Sequence, residues 1–332
     1  MTKPADATPY AGLSPETVLA VAEAAGLMPD GRLFALNSYE NRVFRLGRDD
    51  GPALVLKFYR AARWSDEQIL EEHEFAAELA AADLPVVAPV ELGASTLFKH
   101  GGWRVAAFPL APGGAPDLDA PGALELLGRT LARWHALGAR RPFRFRTALR
   151  GSSLGHRARR AVLDSPCLPA HCAARYRSIS AHLIETIEAR WRCAGEIRFV
   201  RVHGDCHLGN ILWHERGPLF VDLDDCMSAP AIQDLWMFLS GSGSEQRRQW
   251  SLLMSGYELF ADFDYQQLQM VEALRATRML NHAGWIASRW TDPAFPRAFP
   301  DFAEAAWWER HNNDLAEQIG LVDNPPLLAS SG

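Results

Sequence analysis

The turn-rich segment Ala111-Pro112-Gly113-Gly114-Ala115-Pro116 divides a stretch rich in strand patterns from one whose apolar spacing is mostly helical. Upstream, Arg32 to Leu36, Asn41 to Leu46 and Ala53 to Tyr59 read as strands joined by Asn37-Ser38-Tyr39-Glu40 and Asp49-Asp50-Gly51. Connections that short imply antiparallel pairing, since a parallel pair needs a long crossover. Leu13 to Gly26 reads as a helix, with Ser14-Pro15 as cap and first-turn proline. Ser65 to Ala81 reads as another, with Ser65 and Gln68 spaced as a capping box. Val86-Val87 and Trp103 to Leu110 supply further strands. Downstream the spacing is helical: Leu124, Leu127, Leu131 and Trp134 recur at three and four, as do Tyr176, Ile179, Leu183, Ile187 and Trp191. Short apolar runs interrupt it between Arg198 and Val221, helices resume from Ala231 to about Trp308, and Asp323 to Pro326 reads as a loose tail. The expected fold is therefore α+β: a β-rich N-terminal lobe, residues 1–112, and a mainly helical C-terminal lobe, residues 113–332. A length of 332 residues agrees with two sub-domains around a cleft.

Composition narrows the function. With 48% hydrophobic and 22% charged residues, the chain has no signature of extended disorder or of a disulfide miniprotein. A formal net charge of -6 gives no general attraction to nucleic acid or anionic membrane, so neither is expected as a partner. The start, MTKPADATPY, lacks a leader's apolar stretch, and every long apolar run is broken by charge. Five cysteines, odd in number and without a C-x-x-C pair, suit a reducing compartment. A cytoplasmic location is expected.

The chemistry concentrates in His203-Gly204-Asp205-Cys206-His207-Leu208-Gly209-Asn210 and in Val221-Asp222-Leu223-Asp224-Asp225, polar clusters set between apolar runs. The interval from Asp205 to Asn210 is that of the protein-kinase catalytic loop H-R-D-x-x-x-x-N, where Asp accepts the hydroxyl proton and Asn holds Mg²⁺. Asp222 closes the apolar strand Leu219 to Val221 and is placed to give a third oxygen ligand across a hairpin. Hard cations take oxygen ligands, so the set suits metal-phosphate chemistry. Either Asp205 or Asn210 alone would read as an ordinary loop residue; jointly with Asp222 they read as a site. A zinc site on His203, Asp205, Cys206 and His207 is the rival, weakened by the lack of a second ligand cluster. Cys206 reads as a packed thiol and His135 as a core histidine.

Lys57 stands in the apolar strand Leu54-Val55-Leu56-Lys57-Phe58-Tyr59, in a chain whose other lysines are Lys3 and Lys99. A charge buried there needs a partner. Glu71, Glu72 and Glu74 lie on the next helix, with Glu72 favoured; a snorkelling edge lysine is the alternative. The first hairpin lacks a G-x-G-x-x-G run, leaving the Ser38 hydroxyl to contact phosphates or simply to close its turn.

These two polar segments resemble the signature of the aminoglycoside phosphotransferase/choline kinase superfamily, which has a two-lobed protein-kinase-like fold. Leu36 to Val43, Lys57-Phe58-Tyr59-Arg60, Gln68 to His73 and Gln233-Asp234-Leu235-Trp236-Met237 resemble, more narrowly, the bacterial stress response kinase A family over nearly the whole chain. That resemblance implies an ATP-dependent, Mg²⁺-requiring kinase for serine or threonine on proteins, in a bacterial stress response. It makes Asp205 the catalytic base, Asn210 and Asp222 the metal ligands, Lys57 and Glu72 the phosphate-orienting pair, Ser38 a nucleotide-loop contact and Phe108-Pro109-Leu110 the adenine hinge. No glycine follows Asp222 in the D-F-G manner and no A-P-E segment is present, so activation-loop regulation is not implied. The alternatives are a kinase for a small alcohol such as choline or homoserine, and a nucleotide-binding scaffold without turnover. From Val271 to Asn312 five arginines balance five acids, which disfavours a polycationic acceptor. Trp285, Trp290, Trp307 and Trp308 read as packing core ahead of a cage for a quaternary ammonium.

Overall fold

The computed structural model describes residues 9–327; residues 1–8, where the absence of a leader is read and which include Lys3, and residues 328–332 lie outside the described residues. In chain order the elements begin α1 (Pro15–Ala24), β1 (Pro29–Leu36), β2 (Arg42–Arg48), β3 (Leu54–Phe58), α2 (Asp66–Ala81), β4 (Phe98–His100) and β5 (Trp103–Pro109). They continue with α3 (Ala123–Gly138), α4 (Ser153–Leu163), α5 (Ala170–Ala194), β6 (Val200–Val202), β7 (Ile211–His214), β8 (Gly217–Phe220) and β9 (Met227–Ala229). The last are α6 (Ile232–Leu235), α7 (Gly243–Tyr257), α8 (Val271–Arg289), α9 (Ala294–Ala298) and α10 (Ala305–Asp323). Two compact units result, each discontinuous in sequence: residues 1–117, 143–146 and 207–226 form one, and residues 118–142, 147–206 and 227–332 the other.

In the first unit five antiparallel strands lie in the order β1-β2-β3-β5-β4. Period-two alternation on β3 sends Leu54, Leu56 and Phe58 to one face, where they pack with Val18, Val21 and Ala22 of α1. Lys57 therefore points to the opposite face, in register with Val43 and Ala106. Helix α2 starts with the expected capping box: the Ser65 hydroxyl accepts from Gln68 N at 3.3 Å, and Gln68 Oε1 accepts from Ser65 N at 2.9 Å. Its buried side carries Ile69, Glu72, His73, Ala76 and Leu79, the 3.6-residue spacing of one helical face. Val86-Val87 is not a strand of the sheet. It forms one bridge to Phe220 on the β7–β8 hairpin, because Pro85 and Pro89 on either side have no N–H to extend a ladder.

Among its described residues the second unit is helical apart from the short β6–β9 pair. Helices α3 and α7 meet at two glycines: a Cβ on Gly128 would stand 2.0 Å from the Leu253 carbonyl oxygen, and one on Gly256 1.9 Å from that of Glu125. Trp308 is wholly buried, donates to the Cys167 carbonyl at 2.9 Å and packs on Tyr176 and Phe302, as a core tryptophan does. The segment Asp323 to Pro326 is tied rather than loose. Arginine donors satisfy carbonyls there, Arg190 bonding Val322 O at 2.6 Å and Arg247 bonding Pro326 O at 3.0 Å. Among the described residues no helix is long and apolar enough to cross a membrane.

Candidate active site

In the first unit the chemistry gathers on Lys57. Its Nζ lies 2.8 Å from Asp222 Oδ1, 3.1 Å from Asp224 Oδ1 and 3.5 Å from Glu72 Oε1, with the lysine itself 5% exposed. Burial alone would depress the ammonium, but the carboxylates of Asp222, Asp224 and Glu72 outweigh it and hold the pKa well above the ordinary lysine value. Glu72 meets the opposite balance: burial and the neighbouring aspartates push its carboxyl up to about 7 against the pull of Lys57 and Arg146. The three glutamates on α2 thus divide. Glu72 faces Lys57, Glu71 accepts from the backbone N–H groups of Arg144, Phe145 and Arg146 at 2.5, 2.8 and 2.8 Å, and Glu74 is exposed.

Sequence reasoning missed the residues that brace this cluster. Asp224 is buried, yet Arg63, Lys57 and Arg146 overcome that burial and hold its carboxyl well below the usual range. Arg63 reaches Asp224 with one guanidinium nitrogen and Asp225 with the other, the latter at 2.6 Å. Arg146 lies 4.2 Å over the Trp64 ring, donates to Cys226 O at 2.9 Å and to the Asp224 carbonyl, and approaches Glu72 Oε2 at 3.8 Å. The Asp224-Asp225 repeat was a visible signal; the two arginines, far away in sequence, gave none.

The two residues expected to hold metal meet at the base of the β7–β8 hairpin. Asn210 ends a 3₁₀ turn, Leu208–Asn210, and its carbonyl accepts from Val221 N at 3.0 Å, which brings it beside Asp222 across the ladder. Asp222 sits at φ 58°, a left-handed conformation that non-glycine residues hold only when their surroundings impose it. Its side chain is 52% exposed; Oδ1 is taken by Lys57, and Oδ2 has no protein partner among the described residues. A carboxylate and an amide are both hard oxygen donors, so this pair fits a small divalent cation. Ser38 closes its own turn, donating to Asn41 O at 3.0 Å, while Asn41 Oδ1 accepts from Arg60 N at 3.1 Å.

Asp205 belongs to the second unit, in the turn after β6. That turn hangs on a buried carboxyl group to which the sequence assigned no role: Asp234 accepts from His203 N at 2.8 Å and Gly204 N at 2.9 Å, while Gln233 donates to Gly204 O at 2.8 Å. Asp234 is 0% exposed and also meets His135 Nε2 at 3.3 Å; His135 Nδ1 meets the Tyr257 hydroxyl at 3.0 Å, a packed arrangement. The carboxylate of Asp205 itself pairs with Arg278. Cys206 is fully buried, and burial first, then Asp234 and Asp205, push its thiol well up, which leaves it an inert packed residue. The zinc reading finds no support. His203 packs on Trp134 and His207 accepts from Gly209 N at 2.9 Å, whereas the His, Cys and carboxylate trio brought within 4.8 Å among the described residues is His171, Cys172 and Glu309.

The sequence profile of the phosphotransferase enzyme family matches residues 33–271. A serine/threonine protein kinase, RdoA, of Salmonella typhimurium is 40% identical over 315 residues, 95% of each chain. Stress response kinase A of Escherichia coli K12 is 39% identical over the same span and the same shares. Among solved structures, an amicoumacin kinase in complex with AMP-PNP and Ca²⁺ superposes with a TM-score of 0.71 at 18% identity, covering 91% of this chain and 93% of its own. That likeness makes the α+β architecture a two-lobed kinase-like fold, and the sequence matches go further. The chain belongs to the phosphotransferase enzyme family and, within it, to the stress response kinase A family.

Proposed function

We propose that this phosphotransferase moves the γ-phosphoryl group of ATP onto serine or threonine hydroxyls of proteins, in the cytoplasm and in a bacterial stress response. The observation that carries the reading is Lys57, buried and shared between Glu72 and Asp222, since a strand lysine paired to a helix glutamate beside a metal-holding aspartate is the phosphate-orienting device of kinases. The 40% identity to a relative named as a serine/threonine protein kinase supports the protein acceptor. Five free cysteines and the need for ATP support the cytoplasm.

In this reading residues 1–112 are the nucleotide lobe and residues 113–332 the catalytic and substrate lobe. Asp205 receives the proton of the acceptor hydroxyl, Lys57 steadied by Glu72 orients the phosphates, and Ser38 closes the turn nearest the nucleotide. Asn210 and Asp222 would hold Mg²⁺, which supplies charge neutralisation on the transferring group. Little covalent chemistry falls to the protein, so its contribution is positioning and electrostatics. Arg63 and Arg146 brace the Asp224-to-Cys226 segment that follows the metal-holding Asp222. The test is incubation of the purified protein with labelled ATP and Mg²⁺, offered generic protein substrates beside choline, homoserine and other small alcohols. Labelled protein is the expected result. Label on choline or homoserine alone would leave the fold and remove the protein-kinase assignment.

A further inference from the structure

Arg278 projects from α8 in the second unit and bonds the carboxylate of Asp205. Both side chains reach solvent, at 43% for the arginine and 26% for the aspartate. Among the described residues Asp205 is the one hydrogen-bond partner of Arg278, although a guanidinium carries five N–H donors in a planar fork. Its neighbour Arg275 is committed elsewhere, to Glu272 at 3.1 Å and over the Trp236 ring at 4.9 Å. Glu272 is in turn buried and held by Gln318 at 2.8 Å. One turn beyond Arg278 stands His282, whose imidazole is held below its ordinary value by burial and then by the Arg278 cation. His282 packs on Trp285 and Phe299, each at a centroid separation of 6.0 Å. The surface beside Asp205 thus combines one exposed cation with a neutral aromatic wall.

If Asp205 is the base, as the functional reading above has it, an acceptor hydroxyl arrives beside the Arg278 guanidinium, whose bond to Asp205 uses one of its five N–H donors. The remaining donors face whatever flanks that hydroxyl. An acceptor that brings its own anion pairs with them, whereas a cationic acceptor adds like-charge repulsion. We propose that Arg278 is an acceptor-binding residue that selects hydroxyls flanked by a carboxylate or phosphate, so that the preferred acceptors are acidic serine or threonine segments. This preference runs against the global field, because a chain of net charge -6 attracts basic peptides in general. Selection for acidic segments must therefore come from a local cation.

The proposal is tested on the full-length protein with fluorescein-labelled peptides of one length, a single serine flanked by Asp, by phosphoserine, by Ala or by Lys. Anisotropy titrations at low ionic strength measure binding without requiring turnover. Wild type should bind the Asp-flanked peptide at least about tenfold tighter than the Lys-flanked one. Arg278→Ala should close that gap to within about threefold, Arg278→Lys should keep most of it, and Arg278→Glu should reverse it. The phosphoserine arm separates a preference for carboxylate from one for phosphate. Equal binding of all peptides by wild type, tighter binding of the Lys-flanked one, or an undiminished gap in a folded Arg278→Ala or Arg278→Gln protein overturns it. Transfer of label from ATP is scored separately. Label confined to small alcohols defeats the protein-kinase reading alone, and the charge rule then requires glycerate to outcompete glycerol and choline.

Discussion

Replacing Lys57 with methionine would leave Glu72 and Asp224 buried beside an apolar side chain, with Arg146 and Arg63 as the remaining countercharges. Removing one partner of a buried ionic cluster destabilises by about 3 kcal/mol. Lys57→Met should therefore lower the urea midpoint measurably as well as abolish transfer, whereas a snorkelling lysine would give neither effect. Asp205 stands at a partly exposed turn, so Asp205→Asn should melt like wild type, bind ATP and lose at least about 100-fold in transfer of labelled phosphate. A third outcome concerns Arg146: Arg146→Ala should raise KM for ATP, measured by steady-state kinetics, because the Asp222-to-Cys226 segment loses its tie to α2. Lys57, Glu72 and Asp222 were legible in the sequence, since a charge inside an apolar strand or at its end announces that something must compensate it. Arg63, Arg146 and Asp234 were not. An arginine in a loop or an aspartate at a helix start looks the same in sequence whether it braces a site or faces water.

Among the elements, the buried side of α2 carries a pH dependence of its own. His73 is buried between the Tyr59 hydroxyl and the Thr96 hydroxyl, each 2.8 Å away, and burial pulls its imidazole down to about 3. Because the folded value is depressed, the stability this residue contributes is present above its unfolded value near 6.5 and is lost as pH falls from there toward about 3. Chemical denaturation between those limits should show a shallower loss in His73→Gln than in wild type. At the α3–α7 contact two opposing effects meet in Gly128→Ala. Alanine gains about 1 kcal/mol of helix propensity, but its Cβ would lie 2.0 Å from a backbone oxygen that cannot rotate away. Overpacking against backbone wins, and we expect a net destabilisation of about 1–2 kcal/mol by urea titration. Helices α1, α2, α3 and α5 and strands β1 to β3 were legible because caps, turns and periodicity are local signals, whereas α4 was not read and α10 runs past Trp308 to Asp323. Strand β4 escaped notice, being three residues with no apolar alternation, and Val86-Val87 misled because apolar, β-branched residues say nothing about whether their flanking prolines leave donors for a ladder.

At the scale of the molecule, the sequence break near Pro112 does not coincide with a cut through the structure. The β7–β8 hairpin and the segment 143–146 return to the first unit, where Phe220 N donates to Pro85 O at 2.8 Å and Trp213 exchanges bonds with Gly114 at 2.8 and 2.9 Å. A fragment ending at residue 117 would keep the whole five-stranded sheet yet leave Lys57 without Asp222 and Asp224. Such a fragment should lack a cooperative melting transition by circular dichroism, and adding a peptide of residues 207–226 in trans should restore part of it. No local pattern announces that return, because it depends on pairing between segments about a hundred residues apart. The same discontinuity sets an order of events during synthesis. As the chain leaves the ribosome its sheet is complete long before the aspartates that neutralise its lysine exist, so the first unit waits, unfinished, until much of the second has been made. A messenger cut short before codon 207 would yield a product with every strand of the sheet and, of the three carboxylates around its central lysine, Glu72 alone.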